Sequence, residues 1–98
     1  MKKENLIDID KLCTHYEVEL SFFEQIEQIG LIEISTLTQH QYLHKKHIDN
    51  VEKVLRLYND LKVNMEGIDV IFNLLDKITM LQEELIQLKN RLDIYENE

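Results

Sequence analysis

The sequence predicts a mostly α-helical fold: two short helices joined by a turn, a short β wing, and a long C-terminal coiled-coil helix. Three observations carry that expectation. Proline is absent and glycine occurs only twice in 98 residues, so little interrupts helix propagation. Apolar residues recur at helical spacing along most of the chain, and the stretch that breaks this spacing, 32–43, is rich in β-branched residues. The last third carries an a/d heptad seam.

Residues 8–18 form the first predicted helix. Asp8 is its N-cap, and Ile9, Leu12, Cys13 and Tyr16 fall on one face. A second stripe follows at Leu20, Phe22, Phe23, Ile26 and Ile29, with Gly30 where a glycine ends a helix. Together they make a helix-turn-helix. Ser21 and Glu24 have capping-box spacing, which gives Glu24 a local role at its own helix start. Phe22 and Phe23 are adjacent, and a helix cannot easily bury both in one core. Either the stripe is broad and both are half-buried, or one of them, taken as Phe23, stands out as an anchor for a partner.

Ile32, Ile34, Thr36 and Thr38 partly alternate, so residues 32–43 read as one or two short strands, a wing. Residues 47–63 return to helix, with Ile48, Val51, Val54, Leu55, Tyr58 and Leu61 on one face. Asn64 offers a cap for the next helix.

In that last helix Ile71, Leu74, Ile78, Leu81, Leu85, Leu88, Leu92 and Tyr95 are spaced alternately by three and four. With Ile71 at a, the g positions are Lys77, Glu84 and Arg91, and the e positions are Leu75, Gln82, Lys89 and Glu96. A seam of this length must be covered. Ile71 to Ile78 is expected to pack on the chain's own domain. The stretch to Tyr95 outruns a domain of this size, so Ile78, Leu81, Leu85, Leu88, Leu92 and Tyr95 are assigned to a homodimer. Glu84 with Lys89 of a second copy, and Arg91 with its Glu96, suit a parallel pair, but exposed ion pairs contribute only tenths of a kcal/mol. Both directions stay open. The expected division is 1–69 for the helix-turn-helix domain and 70–98 for the dimerisation helix.

Charge narrows the function. The net charge is −8, with eight acids and three bases in residues 1–35 and the same again in 63–98. Tight nucleic-acid binding needs a basic face to neutralise phosphates, so this balance speaks against it. An acidic domain suits a basic protein partner, or simply stays soluble. One cysteine, Cys13, rules out an internal disulfide and fits a reducing compartment. The start MKKENLIDIDKL has no apolar run like that of a signal peptide, and no stretch is apolar enough for a membrane span. A cytoplasmic protein is expected.

Chemistry is poorly represented. His40, His44 and His47 have the i, i+4, i+7 spacing that gathers a metal on a helix, but they lie in the wing without accompanying cysteines or carboxylates. Cys13 and His15 would point to different faces of a helix, so Cys13 reads as a small buried hydrophobe and not as a nucleophile. No phosphate loop, nucleophile elbow or zinc pattern occurs. No enzyme, metal or cofactor is expected.

The order of elements, with Gly30-Leu31-Ile32 closing the second helix, resembles the MerR-like winged-helix superfamily over the whole chain. Its pattern is an arginine and two aromatics before the glycine, then Tyr-Arg-x-Tyr in the wing. Here Glu24 stands at the arginine position, and Gln25 and Ile26 at the aromatic ones. In the wing Tyr42 is kept, while Leu43 and Lys45 replace the arginine and the second tyrosine. The phosphate-holding residues are thus replaced, one by opposite charge.

A closer resemblance is to a branch of that superfamily, the chaperone modulator (CbpM-like) family. It rests on the opening LIDIDKLCTHYEVE with Cys13, on Asn64-Met65-Glu66-Gly67-Ile68, on Leu74-Leu75-Asp76, and on LQEELIQLKNRL at 81–92. The resemblance implies a fold without DNA-binding function. It also implies binding to the J-domain of a DnaJ-type co-chaperone, blocking its action with Hsp70. J-domains carry a basic helix, and an acidic surface would complement it. The partner-binding set is then Glu17, Glu19, Phe23, Glu24 and Glu27, with Glu66, Asp69 and Asp76 as a competing acidic surface. The alternative is a MerR-family DNA-binding transcriptional regulator using the basic segment Lys45 to Lys62. A third reading is a coiled-coil adaptor with no chaperone link.

Overall fold

A computed structural model describes residues 3–96; Met1 and Lys2 of the basic start, and Asn97 and Glu98, lie outside the described residues. The fold is mostly helical, with a three-stranded antiparallel sheet. The chain divides into two compact units, Met1–Met65 and Glu66–Glu98.

In the first unit a 3-10 turn, Lys3–Asn5, leads into β1, Leu6–Asp8, and then α1, Ile9–Tyr16. Asp8 caps α1 as expected, its carboxylate accepting the Asp10 N–H at 2.9 Å. The helix ends where Glu17 turns left-handed, with φ 57° and ψ 47°. The Val18 N–H then bonds Cys13 O at 3.0 Å and the Glu17 N–H bonds Thr14 O at 3.4 Å. This is a Schellman ending with glutamate where glycine usually sits. α2, Leu20–Gln28, ends the same way around Gly30, with φ 87°. The Leu31 N–H reaches Ile26 O at 3.2 Å and the Gly30 N–H reaches Glu27 O at 2.9 Å.

The wing is a hairpin of β2, Ile34–Leu37, and β3, His40–His44. Thr38 and Gln39 turn it with φ 47° and 67°, the two positive angles of a type I′ turn. β1 adds to the other edge of β3, giving the order β1-β3-β2, with Ile7 opposite Leu43 and Leu43 opposite Ile34. β1 was not anticipated from sequence. Three residues are too short for alternation to show, and its pairing partner lies far along the chain.

The third helix departs from expectation. Residues 45–47 form a 3-10 turn, α3 spans Ile48–Leu55, and Arg56–Asp60 make a π-helical turn. A π turn holds an extra residue, so the expected single stripe is broken. Val51 and Val54 are buried, Ile48 and Leu55 half-buried, while Tyr58 and Leu61 are exposed. The core of this unit is Ile9, Leu12, Phe22, Phe23, Ile26, Ile32, Leu43, Val51 and Val54.

The second unit is one helix, α4, Met65–Glu96. Ile68 and Phe72 are its buried residues and Ile71 is half-buried. From Asn73 onward every described position of this helix is exposed, Leu74 and Ile78 included. Among the described residues no helix is long and apolar enough to cross a membrane.

Candidate functional site

The turn of the helix-turn-helix is Glu17-Val18-Glu19. Glu17 and Glu19 are exposed there. Glu19 precedes α2 without a side-chain cap bond, so the capping box proposed for Ser21 and Glu24 does not form. The helix begins two residues earlier than that box requires, with Glu19 and not Ser21 at the N-cap. Glu24 instead sits on the outward face with Ser21 and Gln28, all exposed at i, i+3, i+7 spacing. Three carboxylates, those of Glu17, Glu19 and Glu24, therefore project from the turn and the exposed side of α2.

Phe23 does not join them. Its exposure is 0%, and that of Phe22 is 8%, so the expectation of an exposed aromatic anchor is corrected. Phe22 and Phe23 lie 100° apart around the helix with Ile26 between them, and all three face inward. Phe22 meets Phe23 edge-on at 5.9 Å and Tyr58 at 5.8 Å, so the pair forms one aromatic layer of the core.

Glu27 is exposed, but its carboxylate is engaged. It accepts the Ile34 N–H at 2.7 Å, where β2 begins. Charge-assisted bonds of this kind are strong for their class, and this one ties α2 to the wing. Two further bonds brace the same frame. The Asn50 amide donates to Leu31 O at 2.9 Å, holding the Gly30-Leu31-Ile32 loop against α3. The Tyr16 hydroxyl donates to Glu52 at 3.2 Å, joining α1 to α3. Burial, and then the Glu52 carboxylate, push the Tyr16 phenol above its usual 10.0. Sequence reasoning missed Asn50 and Glu52, because neither belongs to a periodic or motif-like pattern.

The histidines do not converge. His40 and His44 lie four residues apart on a strand, which separates their Cα atoms by ~13 Å. His44 Nδ1 accepts the Lys46 N–H at 3.0 Å, which assigns the proton to Nε2 in the neutral ring. Burial, helped by Lys46, holds His47 below its usual 6.5, with Glu33 opposing. Among the described residues no cluster suited to a metal occurs. Cys13 is half-buried, less covered than expected; burial and the Asp10 carboxylate push its thiol upward. Lys45, Lys46, Lys53 and Arg56 are exposed, interrupted by Asp49 and Glu52.

The second candidate surface is α4. Ile78, Leu81, Leu85, Leu88, Leu92 and Tyr95 are 49 to 75% exposed, so nothing in the described chain covers them. Of the competing acidic surface, Glu66 and Asp76 are exposed, and Asp69 is half-buried and accepts from Asn73 at 3.4 Å.

Comparison with known proteins adds a family. Residues 7–90 match the family described as MerR HTH family regulatory protein. The chaperone modulatory protein CbpM of Pseudomonas putida KT2440 is 28% identical over 87 residues, which are 88% of this chain and 86% of that protein. The protein of the same name from Pseudomonas entomophila is 24% identical over the same shares. No solved structure matches.

Proposed function

This chain belongs to the MerR HTH family of regulatory proteins, and from that premise we propose that it is a chaperone modulator. It binds the J-domain of a DnaJ-type co-chaperone and inhibits the action of that co-chaperone with Hsp70. The observation that carries this reading is Glu24: a free, exposed carboxylate on the helix where the superfamily pattern has its arginine. That exchange removes a phosphate contact and leaves an anion suited to a basic helix. The likeness to proteins named chaperone modulators, over most of both chains, supports it.

The mechanism is occupancy without chemistry. Glu17, Glu19 and Glu24 face the basic helix of the J-domain, and Glu27 holds the wing beside them. Like-to-opposite steering speeds encounter and makes association fall with salt. Hsp70 is excluded because the same J-domain surface is covered. The protein works in the cytoplasm, as a homodimer joined through α4, and needs no cofactor.

Calorimetry with a purified J-domain tests the reading. Micromolar or tighter binding is expected, weakened at least about tenfold in a Glu17→Lys, Glu24→Lys double variant, because each reversal both removes an attraction and adds a repulsion. Unchanged binding by that variant would move the site to Glu66, Asp69 and Asp76. No binding at tens of micromolar would sink the modulator reading. A DNA shift that weakens steeply with salt would then favour a transcriptional regulator working through Lys45, Lys46, Lys53 and Arg56.

A further inference from the structure

We infer that the outer edge of the wing strand β2 receives an added β-strand from a partner. The occupant is an extended segment, antiparallel to β2, with lysine or arginine towards its C-terminal end. This edge lies outside the acidic turn and outside α4, and its use does not depend on the function proposed above.

Hairpin geometry fixes which backbone groups of β2 face outward. Thr38 and Gln39 form a two-residue turn, so Leu37 and His40 are its closing, mutually hydrogen-bonded pair. Bonded and non-bonded pairs alternate, which turns Leu37 and Ser35 towards β3 and Thr36 and Ile34 away from it. The Glu27 bond agrees with that parity, because the Ile34 N–H reaches out of the sheet to the carboxylate at 2.7 Å. Three outward groups remain: the Ile34 carbonyl, and the Thr36 N–H and carbonyl. Among the described residues no strand pairs with this side of β2. Edges are normally blunted by charge, proline or a bulge. Residues 34–39 carry no charge and no proline, and the β2–β3 register runs unbroken from Ile34 to Leu37. The opposite edge of the sheet differs. β1 is three residues long, with a 3-10 turn directly before it and α1 directly after it.

The same register defines the occupant. A residue opposite Thr36 exchanges two backbone bonds with it, and the residue two further on donates to the Ile34 carbonyl. The strand thus gains three bonds with Glu27 left in place. Its side chain opposite Ile34 lengthens the apolar row Ile7, Leu43, Ile34 across the sheet. Its side chain opposite Leu37 covers that exposed leucine. The next residue towards its C-terminus runs alongside the exposed Glu33, with Glu27 held close by at the Ile34 N–H, so a cation there meets two carboxylates. A second copy of β2 fits less well. Laid antiparallel about Thr36, it would have to bring its own Thr38 N–H to the Ile34 carbonyl, and the turn sets that residue at φ 47°, out of line with the strand.

Amide NMR of the isotope-labelled, full-length chain with the peptide acetyl-Ser-Val-Thr-Thr-Val-Lys-Lys-amide tests this. The third residue of the peptide is the one set opposite Thr36. Binding is expected with a dissociation constant of roughly 0.1–1 mM. At saturation the Thr36 amide should shift and exchange with solvent at least about threefold more slowly. N-methylation of the third peptide residue, whose N–H bonds Thr36, should abolish binding, whereas N-methylation of the fourth, whose N–H faces away, should leave it within about twofold. Glu33→Lys should weaken it about two- to fivefold. Shifts confined to α1 and α2, or equal effects of the two methylations, would mean attraction by charge alone and overturn the added strand. No movement of the Thr36 amide at millimolar peptide would overturn it as well. Protection of that amide in the chain alone, lost on dilution, would give the edge to a second copy and overturn the proposed occupant. Independently, Thr36→Pro deletes an outward N–H that the β2–β3 ladder does not use. It should lose the peptide while the Tyr42 and His40 amides keep their protection, and peptide binding retained by that folded variant counts against the edge.

Discussion

The two units treat their apolar residues in opposite ways. In the first, nine apolar side chains are buried, and side-chain bonds at Asn50, Glu52 and Glu27 brace the loop and the ends of its elements. Its hydrophobic pattern is closed. In α4 the pattern is just as regular, yet the residues from Leu74 to Tyr95 stand in water. Regular patterning therefore says only that a face must be covered. Whether the chain covers it alone or needs another copy depends on what lies within reach.

The contrast can be broken most forcefully at Phe23. Truncating it to alanine opens the aromatic layer and should cost about 3–5 kcal/mol. Chemical denaturation followed by circular dichroism would show the first unit losing its cooperative transition. A midpoint within a few tenths molar of the parent would mean that the residue is not core. Leu85→Asp is the matching change in α4. It should leave that transition in place and abolish association, because a charge at a paired seam position goes unpartnered. Sedimentation velocity should then return a monomer; a persistent dimer would place the interface elsewhere.

Smaller changes sharpen the same contrast inside the first unit. Glu27→Ala removes the acceptor of the Ile34 N–H and should cost about 1–2 kcal/mol, with Glu27→Gln costing less because it keeps an acceptor. Equal losses in both would argue that charge, and not the bond, matters. Glu17→Gly should raise stability by about 0.5–1 kcal/mol, since glycine adopts the left-handed angle without strain. On the proposed function, the same change should also weaken binding to a J-domain. A variant both more stable and undiminished in binding would remove Glu17 from the site.

The smallest effect is on acid stability. His47 has its folded pKa below 6.5 because burial disfavours the charged ring. As pH falls below 6.5 the unfolded chain takes up the proton first, so stability drops until the folded pKa is passed. His47→Gln should flatten the unfolding midpoint across that window. An unchanged slope would assign the acid sensitivity to another group.

Local physics was legible in the sequence, and distant physics was not. Asp8 and Gly30 act through neighbours two to four residues away, so their roles as helix start and stop could be read directly. The alternating β-branched residues of 32–43 announced the wing for the same reason. The heptad seam was equally plain, but what covers it was not, because coverage depends on groups distant from the helix. Adjacency of Phe22 and Phe23 on a helix does not exclude burial of both, because the inward face of α2 is wide enough to take the two rings, with the exposed Tyr58 meeting Phe22 at the rim. The third helix was read as uniform because a π turn leaves no mark in spacing. In the candidate site, the charges of Glu17, Glu19 and Glu24 were visible. The engagement of Glu27 was not, since its partner is a backbone group seven residues on.

The pairing of β1 with β3 has a kinetic consequence. It joins residues 6–8 to residues 42–44, and both helices of the helix-turn-helix lie inside the loop so closed. Such closure carries an entropy cost that grows with the logarithm of loop length, and distant pairings tend to form late. α1, α2 and the wing hairpin can each assemble from near neighbours, on the microsecond scale of such events. The frame that presents the acidic turn is complete only when the first strand docks. A newly made chain would thus hold its helices before it holds the frame around the acidic turn. Substitutions at Leu6 or Ile7 should slow refolding more than substitutions on the exposed faces of the helices they enclose.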